Sequence, residues 1–406
     1  PAARRAIAKA SRDVVCVSFA SAAPDAYADP ANFTATGFTI ERAEVSPNEP
    51  RDILLTLAEP LAADASYSLK FSDPLYGTSK TLGFTTPRAA LPAVFEGVDE
   101  LAGYRLVNEL NIPSGTLSYS ANGANYRTDE SRFLSSVTFD RVAYLLQLAD
   151  KNGVTNWVWT SMDAFTPDLA KVGVPTMERK NVFQKYVTGL HVRAGTTGGA
   201  VAVQTGDFEQ GNIEFWPYNY SVENAKSIPN ASATAYDWGD KQSTTTAGYG
   251  SMQVHNYLNR EVVWAFNHYN ATACLGIGTQ KTGSPDWTSA DNAGSYTVRN
   301  LFVLVHETPL VPTSDKTFLL APQDASVLYG DAPVVLRAYI PGAVSYQWRR
   351  NGEEIFGATA PSLEIPTDRR ERASYDVIAT FADGTFAVSA PAQVKVTRFG
   401  TFFGVF

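Results

Sequence analysis

Short runs of alternating apolar and polar residues, separated by turn residues, recur along almost the whole chain. Residues 52–61 (DILLTLAEPL), 156–163 (NWVWTSMD) and 261–269 (EVVWAFNHY) show this pattern, and turn signals such as SPNEP and DKNG lie between such runs. Successive side chains of a strand point to opposite faces, so this rhythm is typical of all-β sandwiches. Helical signals are confined to the first dozen residues and to DLAKVG at 168–173. The sequence therefore predicts an all-β fold.

Composition narrows the classes of partner. Apolar residues make up 44% of the 406 residues, enough for a core in each of several domains, and the net charge is −8. That charge argues against nucleic acid and anionic membranes as partners, because both require basic patches. No run approaches the roughly 18 apolar residues of a membrane helix, and no signal peptide is visible, so the first residues resemble a mature or excised boundary. Cys16 and Cys274 lie far apart and are expected to be buried thiols rather than a disulfide.

Two terminal segments resemble known families. Within residues 12–88, the pattern PL-x-A-x-x-x-Y-x-L at 60–69 resembles the bacterial Ig-like modules of surface and secreted proteins. Near the other end, YQWRRNGEEIFGATAPSLEI and ASYDVIATFADG resemble an immunoglobulin domain. That resemblance implies that Trp348 is the core tryptophan of strand C and that Tyr375 holds the tyrosine-corner position. The family's cysteine pair is absent, so this domain must be held by packing alone.

The predicted organisation is a large central β-sandwich, jelly-roll-like, flanked by two small Ig-like β-sandwiches. Its segments are 1–11, a linker or the end of an upstream region; 12–88, an Ig-like domain; 89–103, a linker; 104–308, the central sandwich; 309–317, a Pro- and Thr-rich linker; 318–398, an immunoglobulin-like domain; and 399–406, an apolar tail or final strand.

The central segment carries a third resemblance. Residues 139–175, 211–220 (GNIEFWPYNY), 228–240 (IPNASATAYDWGD) and 248–257 (GYGSMQVHNY) together resemble a non-catalytic β-sandwich attached to sialate O-acetylesterase-like secreted bacterial proteins. This resemblance implies a secreted or cell-surface protein associated with glycan processing. It brings no catalytic residue set with it.

The stretch GNIEFWPYNY has the composition of a sugar-binding wall. On a strand, Ile213 and Phe215 would point into the core, while Asn212, Glu214 and Trp216 would point the other way. An aromatic ring stacks on the apolar face of a pyranose, and amides and carboxylates bind its hydroxyl groups. The alternative is that these rings cap the edge of the sandwich. The sequence leaves both interpretations open.

The stretch YGSMQVHNY alternates in the same way as a strand would. Met252 and Val254 are expected to point inward, and Gln253 and His255 outward. His255 could be a structural histidine, a partner for sugar hydroxyls, or a general base with a neighbouring acid. The candidate ligand-binding residues are Asn212, Glu214, Trp216, Tyr218, Asn219, Tyr220, Gln253 and His255.

Acidic residues supply a candidate metal site. In YDWGD, Asp237 and Asp240 flank a glycine, and such loops hold a structural calcium ion in some jelly rolls. The alternative is that both aspartates cap turns of the local backbone. Further acids occur at Asp163, Asp207 and Glu209, but spacing alone assigns no pair of them to glycoside hydrolysis.

The motifs of common enzyme classes are absent from the sequence: GxSxG, a P-loop, HExxH and a GxGxxG that opens a helix after a strand. The leading hypothesis is therefore a non-catalytic carbohydrate-binding region that takes a glycan or polysaccharide as its partner. A second hypothesis is a structural subunit of a surface layer or filament, which self-associates through its Ig-like domains or the tail 399–406. A third is a polysaccharide-active enzyme that uses Glu214, His255 and an aspartate.

Overall fold

A computed structural model describes most of the chain. The described residues are all except 47–48, 97, 115–125, 134–136, 175–182, 217–219, 223–239, 243–250, 257–260, 270–271, 280–291, 356–357, 382–383 and 398–406. The chain divides into two compact units. The first contains nearly all residues up to Glu307, and the second consists mainly of the residues from Thr308 onward.

The first unit begins with two small antiparallel sheets, ordered β1-β2-β5-β4 and β3-β6-β7. They enclose one core in which Phe19, Tyr27, Phe33 and Phe71 pack ring against ring at centroid distances of 4.8–5.3 Å. The strands are β1 (Ala3–Ala8), β2 (Val14–Phe19), β3 (Phe33–Ala35), β4 (Ile40–Val45), β5 (Asp52–Leu57), β6 (Ser66–Ser72) and β7 (Ser79–Thr85).

A ten-stranded antiparallel sheet follows in the same unit, ordered β18-β17-β16-β13-β12-β11-β10-β19-β8-β9, and a two-stranded sheet joins β14 to β15. The strands are β8 (Tyr104–Asn111), β9 (Tyr126–Asp129), β10 (Phe139–Asp150), β11 (Thr155–Asp163), β12 (Phe183–Thr196), β13 (Gly206–Trp216), β14 (Tyr220–Val222), β15 (Asp240–Gln242), β16 (Ser251–Asn256), β17 (Glu261–Tyr269), β18 (Thr272–Ile277) and β19 (Tyr296–Glu307).

The large sheet folds back on itself. Trp264 of β17 is fully buried, and its indole N–H donates to the hydroxyl of Thr160 in β11 at 3.0 Å. Its ring lies 5.5 Å from that of Tyr144 in β10. Three strands separate β17 from β11 in the sheet order, so these contacts form only if one end of the sheet packs against its middle. A single sheet thereby makes a sandwich around its own core.

Two glycines permit close packing within the large sheet, Gly189 between β11 and β12 and Gly211 among β12, β13 and β16. Gly189 of β12 has φ +58°, and a Cβ there would lie 2.8 Å from the carboxylate of Asp163. A Cβ on Gly211 of β13 would lie 2.6 Å from the Leu190 side chain and 2.9 Å from the carbonyl of His255. Any other residue at Gly211 would push these three strands apart.

The second unit contains a larger sheet with the path β20-β27-β26-β23-β24, to which β21 and β28 are added, and a two-stranded sheet of β22 and β25. Its core contains Trp348 and Val377, both fully buried, and Tyr375 at 3% exposure. The strands are β20 (Val311–Pro312), β21 (Ala325–Leu328), β22 (Val334–Arg337), β23 (Ala343–Arg350), β24 (Glu353–Glu354), β25 (Ser362–Ile365), β26 (Glu371–Phe381), β27 (Thr385–Val388) and β28 (Ala392–Thr397).

The all-β sandwich class predicted from the sequence is confirmed. Within the described residues, helical structure is limited to 3₁₀ turns of three residues each. These turns are Asp25–Tyr27, Pro30–Asn32, Ala93–Phe95, Asp99–Leu101, Glu130–Arg132, Leu169–Lys171 and Ala293–Ser295.

The prediction of a helix in the first dozen residues is wrong. Ala3–Ala8 is a strand whose ladder to β2 pairs Ala6 with Val17 and Ile7 with Cys16. Ala6, Ile7 and Ala8 are buried there. A helix this short is marginal in water, whereas the strand joins a sheet and buries its apolar residues. The alternation was hidden because alanine supplies most of the apolar positions.

Packing around Trp348 gives the first prediction. Its ring is fully buried and its indole N–H donates to the carbonyl of Ala360 at 2.9 Å. Trp348→Ala should lower the opening free energy of the β23 and β26 amides by about 3–5 kcal/mol, because it leaves a cavity. Hydrogen exchange of the whole chain measures this.

Val344→Ala is the matched control, since Val344 lies on the same strand with 65% of its surface exposed. That variant should stay within about 0.5 kcal/mol of the parent. If the β23 and β26 amides exchange at the same rate in both variants, Trp348 does not hold this core together.

Candidate functional site

The predicted ligand face lies on β13 and β16, at the centre of the folded sheet. The two strands are in register with Asn212 opposite His255 and Ile213 opposite Val254. Ile213, Met252 and Val254 are fully buried, which confirms that this side of the strands belongs to the core.

The other side of the strands is also buried. Asn212 and His255 have no exposed surface, and Gln253 has only 2%. The expectation that Gln253 and His255 point out to solvent is therefore wrong. Alternation distinguishes two faces of a strand but does not say whether the second face is covered. In an interior strand of a sheet that folds back on itself, both faces are covered.

Both ring nitrogens of His255 lie within hydrogen-bond distance of a side-chain amide oxygen, while Asn212 Nδ2 has no hydrogen-bond partner among the described residues. His255 Nδ1 lies 2.8 Å from Asn212 Oδ1, and His255 Nε2 lies 2.9 Å from Gln253 Oε1. Burial lowers the pKa of His255 to about 3, so the ring is neutral at physiological pH. A neutral imidazole donates one hydrogen bond and accepts one. One of the two amides must therefore turn its NH₂ group toward the ring.

The burial of His255 bears on the hypothesis that it is a general base. A general base must reach the proton that it removes, and His255 has no surface from which to reach a polysaccharide. The adjacent Asn256 is fully buried as well, and neither of its side-chain polar atoms has a hydrogen-bond partner in the described part of the chain. Polar groups enclosed in this way need partners, and His255 obtains them from two strands.

The rest of the predicted ligand and metal residues fall outside what the structure describes. Glu214, Trp216, Tyr220 and Asp240 belong to β13, β14 and β15, but their side chains are not described. Tyr218, Asn219 and Asp237 lie outside the described residues. The glycan and calcium assignments therefore stay predictions. Among the described residues, no three His, Cys, Asp or Glu side chains are grouped as metal ligands would be.

Strand register brings together a combination that the sequence did not suggest. Ser161 of β11, His191 of β12 and Asp207 of β13 lie directly opposite one another across three neighbouring strands. A hydrolase triad uses these three residue types. The residues are far apart in the sequence, so only the pairing of the strands could have shown this row.

The hydrogen bonds of the row exclude a working triad. Ser161 is fully buried, and its hydroxyl lies 2.5 Å from the hydroxyl of Tyr104 and accepts from Arg141 Nε at 2.8 Å. The Asp207 carboxylate accepts from Arg193 at 2.8 Å instead of orienting His191. A nucleophile enclosed by two other partners cannot attack a substrate.

The aspartates near this row are held by hydrogen bonds to neighbouring side chains. Asp163 accepts from Arg141 at 2.7 Å and from Thr188 at 2.7 Å. The hydrogen bond from Arg193 lowers the pKa of Asp207 below its ordinary value. A general acid for this reaction needs a raised pKa. Asp207 therefore lacks the environment that a general acid requires.

Two further features bear on the class of protein. Cys16 and Cys274 are both buried and are not joined by a disulfide. Among the described residues, none of the helices has the length and apolar character needed to cross a bilayer.

The buried histidine predicts a pH dependence of stability. Its folded pKa of about 3 lies below the ordinary value of 6.5, so between these values the unfolded chain binds a proton that the folded chain does not. Acid therefore favours unfolding. Below pH 6.5 the parent should lose up to about 1.4 kcal/mol of unfolding free energy per pH unit in excess of His255→Gln, which cannot take up the proton.

Urea unfolding of both proteins across this pH range, followed by circular dichroism, provides the measurement. His306→Gln is the control, since His306 is partly exposed and bonded to Asp140 at 2.7 Å. Parallel pH profiles for the parent and His255→Gln would contradict a neutral, buried His255.

Comparisons with known proteins give no family. No family model matches the sequence, and no curated protein matches it. Two solved structures that are similar are both of the S-layer protein SbsC: a crystal structure of rSbsC(31-844) at 12% identity and a structure of its domains 1–6 at 11%. They cover 97% and 98% of this chain, which spans 54% of each of theirs, and the TM-score is 0.20 in both cases. Similarity at this level does not establish a common fold.

Proposed function

We propose that this chain is a non-catalytic, structural region of a secreted or cell-surface protein, and that its second unit binds a second copy of itself. The observation that carries the proposal is the distribution of exposed apolar side chains. Of the ten large ones among the described residues, eight lie between Val311 and Val388. Concentrated apolar exposure on a soluble domain is typical of a binding surface.

One part of this surface lies on the outer face of β22 and on its continuation at Tyr339. Leu320 and Tyr339 are 44% and 52% exposed and form a β-bridge with each other. Val335, at 45% exposure, lies on the same side of the chain as Tyr339, because alternate residues share a face. We call Leu320, Val335 and Tyr339 the apolar outer face.

The charges on this face favour a second copy as the partner. Val335 pairs with Glu364 and Arg337 pairs with Ser362, so Arg337 and Glu364 both project from the outer face, where both are exposed. Neither takes part in an ion pair with another described residue. In a two-fold dimer, the same patch meets itself, so Arg337 of one copy can meet Glu364 of the other. The same surface therefore carries both the apolar residues and the opposite charges that a second copy of it would contact.

A charge exchange tests the dimer. Arg337→Glu and Glu364→Arg should each dissociate it, because each places like charges opposite one another. The double variant, with both charges exchanged, should restore the dimer. Light scattering coupled to size-exclusion chromatography measures the mass of the whole chain in each case.

Val388→Ser is the control, since it changes an exposed apolar residue of the same unit outside this face. A parent that stays monomeric at high concentration, or single variants that dimerise as the parent does, would refute the proposal.

Glycan recognition along 211–220 is a second candidate function. β13 ends at Trp216, so a site there would lie at the end of the strand, beyond the buried positions of Asn212 and His255. Trp216→Ala should then weaken binding at least about tenfold, since losing an aromatic anchor costs ~2 kcal/mol or more. Binding to an array of sialylated and neutral oligosaccharides provides the measurement.

Ile213→Ala is the matched variant, because Ile213 is fully buried on the opposite face. It should lower the unfolding free energy by about 2–5 kcal/mol while the remaining folded protein keeps its affinity. If Trp216→Ala unfolds the first unit, or binds the array as the parent does, the ring belongs to packing and this function fails.

A further inference from the structure

Three sheet edges meet around one cleft in the first unit. β1 is the edge of the four-stranded sheet, β7 is the edge of the three-stranded sheet, and β9 is the edge of the ten-stranded sheet. The cleft between them has a volume of about 570 Å³. Sites for small ligands typically have 300–1,000 Å³, so the cleft has room for one or two sugar rings.

The lining of the cleft is strongly cationic. Arg4 and Arg5 of β1, Lys80 of β7 and Arg127 of β9 contribute to it, and none of the lining residues that the structure describes is a carboxylate; the carboxylates of Asp64 and Glu109 contact Arg127 from outside the lining. The chain as a whole has a net charge of −8, so this group of four positively charged side chains is opposite in sign to the overall charge. A cleft lined by one sign of charge focuses the field and attracts ligands of the opposite sign.

Arg127 is fixed in position by two carboxylates, which offset part of its charge. The Arg127 guanidinium donates to Asp64, and its Nε lies 3.5 Å from Glu109. Only 11% of its side chain is exposed. Arg5 Nε donates to Ser18 at 3.4 Å. Held cations lose little side-chain entropy when they bind a ligand.

The remaining lining groups suit a sugar better than a peptide. Ser66, Thr81 and Thr85 supply hydroxyls and Asn111 supplies an amide, which are groups that both donate and accept hydrogen bonds. The hydroxyls of Ser66 and Thr85 lie 3.3 Å apart across two paired strands. Tyr67 adds a half-buried ring, which stacks on Phe84 at 5.9 Å. A saccharide presents hydroxyl groups and apolar C–H faces in the same way.

We propose that the cleft between β1, β7 and β9 binds an acidic polysaccharide, with its carboxylate or sulfate groups at the cationic side chains and its hydroxyl groups at Ser66, Thr81, Thr85 and Asn111. This site uses strands other than β13 and a surface in the other compact unit from the apolar outer face. It therefore stands independently of both functions proposed above.

The test compares cleft variants of the whole chain in calorimetric titrations with polygalacturonate, heparin and neutral dextran. The parent should bind polygalacturonate or heparin and not dextran, and which of the two binds distinguishes carboxylate from sulfate recognition. Lys80→Gln and Arg4→Gln should each weaken binding about two- to fivefold, which is the range of an exposed ion pair, and the double variant about tenfold. Raising the salt concentration should weaken the binding of the parent.

Lys151→Gln is the matched control, because it removes an exposed lysine from the turn between β10 and β11, outside the cleft. It should bind as the parent does, and all variants should melt as the parent does, since the substituted residues are exposed. Two outcomes overturn the proposal. One is that neither acidic polysaccharide binds, or that both bind the double variant as tightly as the parent. The other is that poly-L-glutamate binds through Lys80 and Arg4 as tightly as the polysaccharides, which would identify an acidic polypeptide as the ligand.

Discussion

The fold of the first unit depends on the contact between Trp264 and Thr160. A flat ten-stranded antiparallel sheet would leave one face in water. The indole of Trp264 joins strands that are four places apart in the sheet, at 3.0 Å, so the sheet must curl until its end packs on its middle. That closure buries both faces of the strands that carry Asn212 and His255. The polar residues there became interior groups, and their hydrogen bonds to one another follow from that burial.

A second interaction joins the small sheets to the large one. Glu109 on β8 has no exposed surface, and its carboxylate accepts from the side chain of Arg88 and, at 3.0 Å, from its backbone N–H. Arg127 lies beside the same carboxylate. A buried carboxylate without such partners would be costly, so the pairing ties the segment after β7 to β8, which lies next to the edge strand of the large sheet. The same contact sets the position of Arg127 in the cationic cleft.

The sequence predicted which residues of a strand point into the core, but it did not predict that the large sheet folds back on itself. The inward positions of Ile213, Met252 and Val254 followed from alternation, and the burial of Trp348 followed from the immunoglobulin-like pattern around it. The burial of His255 could not be predicted, because alternation gives two faces but not what covers them. The row of Ser161, His191 and Asp207 arises from the pairing of three strands. Register between distant strands is set by tertiary packing, and a single sequence carries little information about it.

The polar side chains of Asn212, Gln253 and His255 on β13 and β16 are buried. A ligand of this chain is therefore expected at the edges, strand ends and outer surfaces of the sheets. Edge strands carry unpaired backbone groups, and proteins protect them with charges, lysine above all. Arg4 and Lys80 lie on such edges, so their first effect is to prevent edge-to-edge association. If the charges served only to prevent edge-to-edge association, charges of either sign spread along each edge would be sufficient. The cleft instead gathers cations from three different edges beside hydroxyl groups, with no carboxylate among its described lining residues. Side chains of one sign of charge that meet in one cleft are expected of a binding site. The same side chains also protect the edges of the sheets.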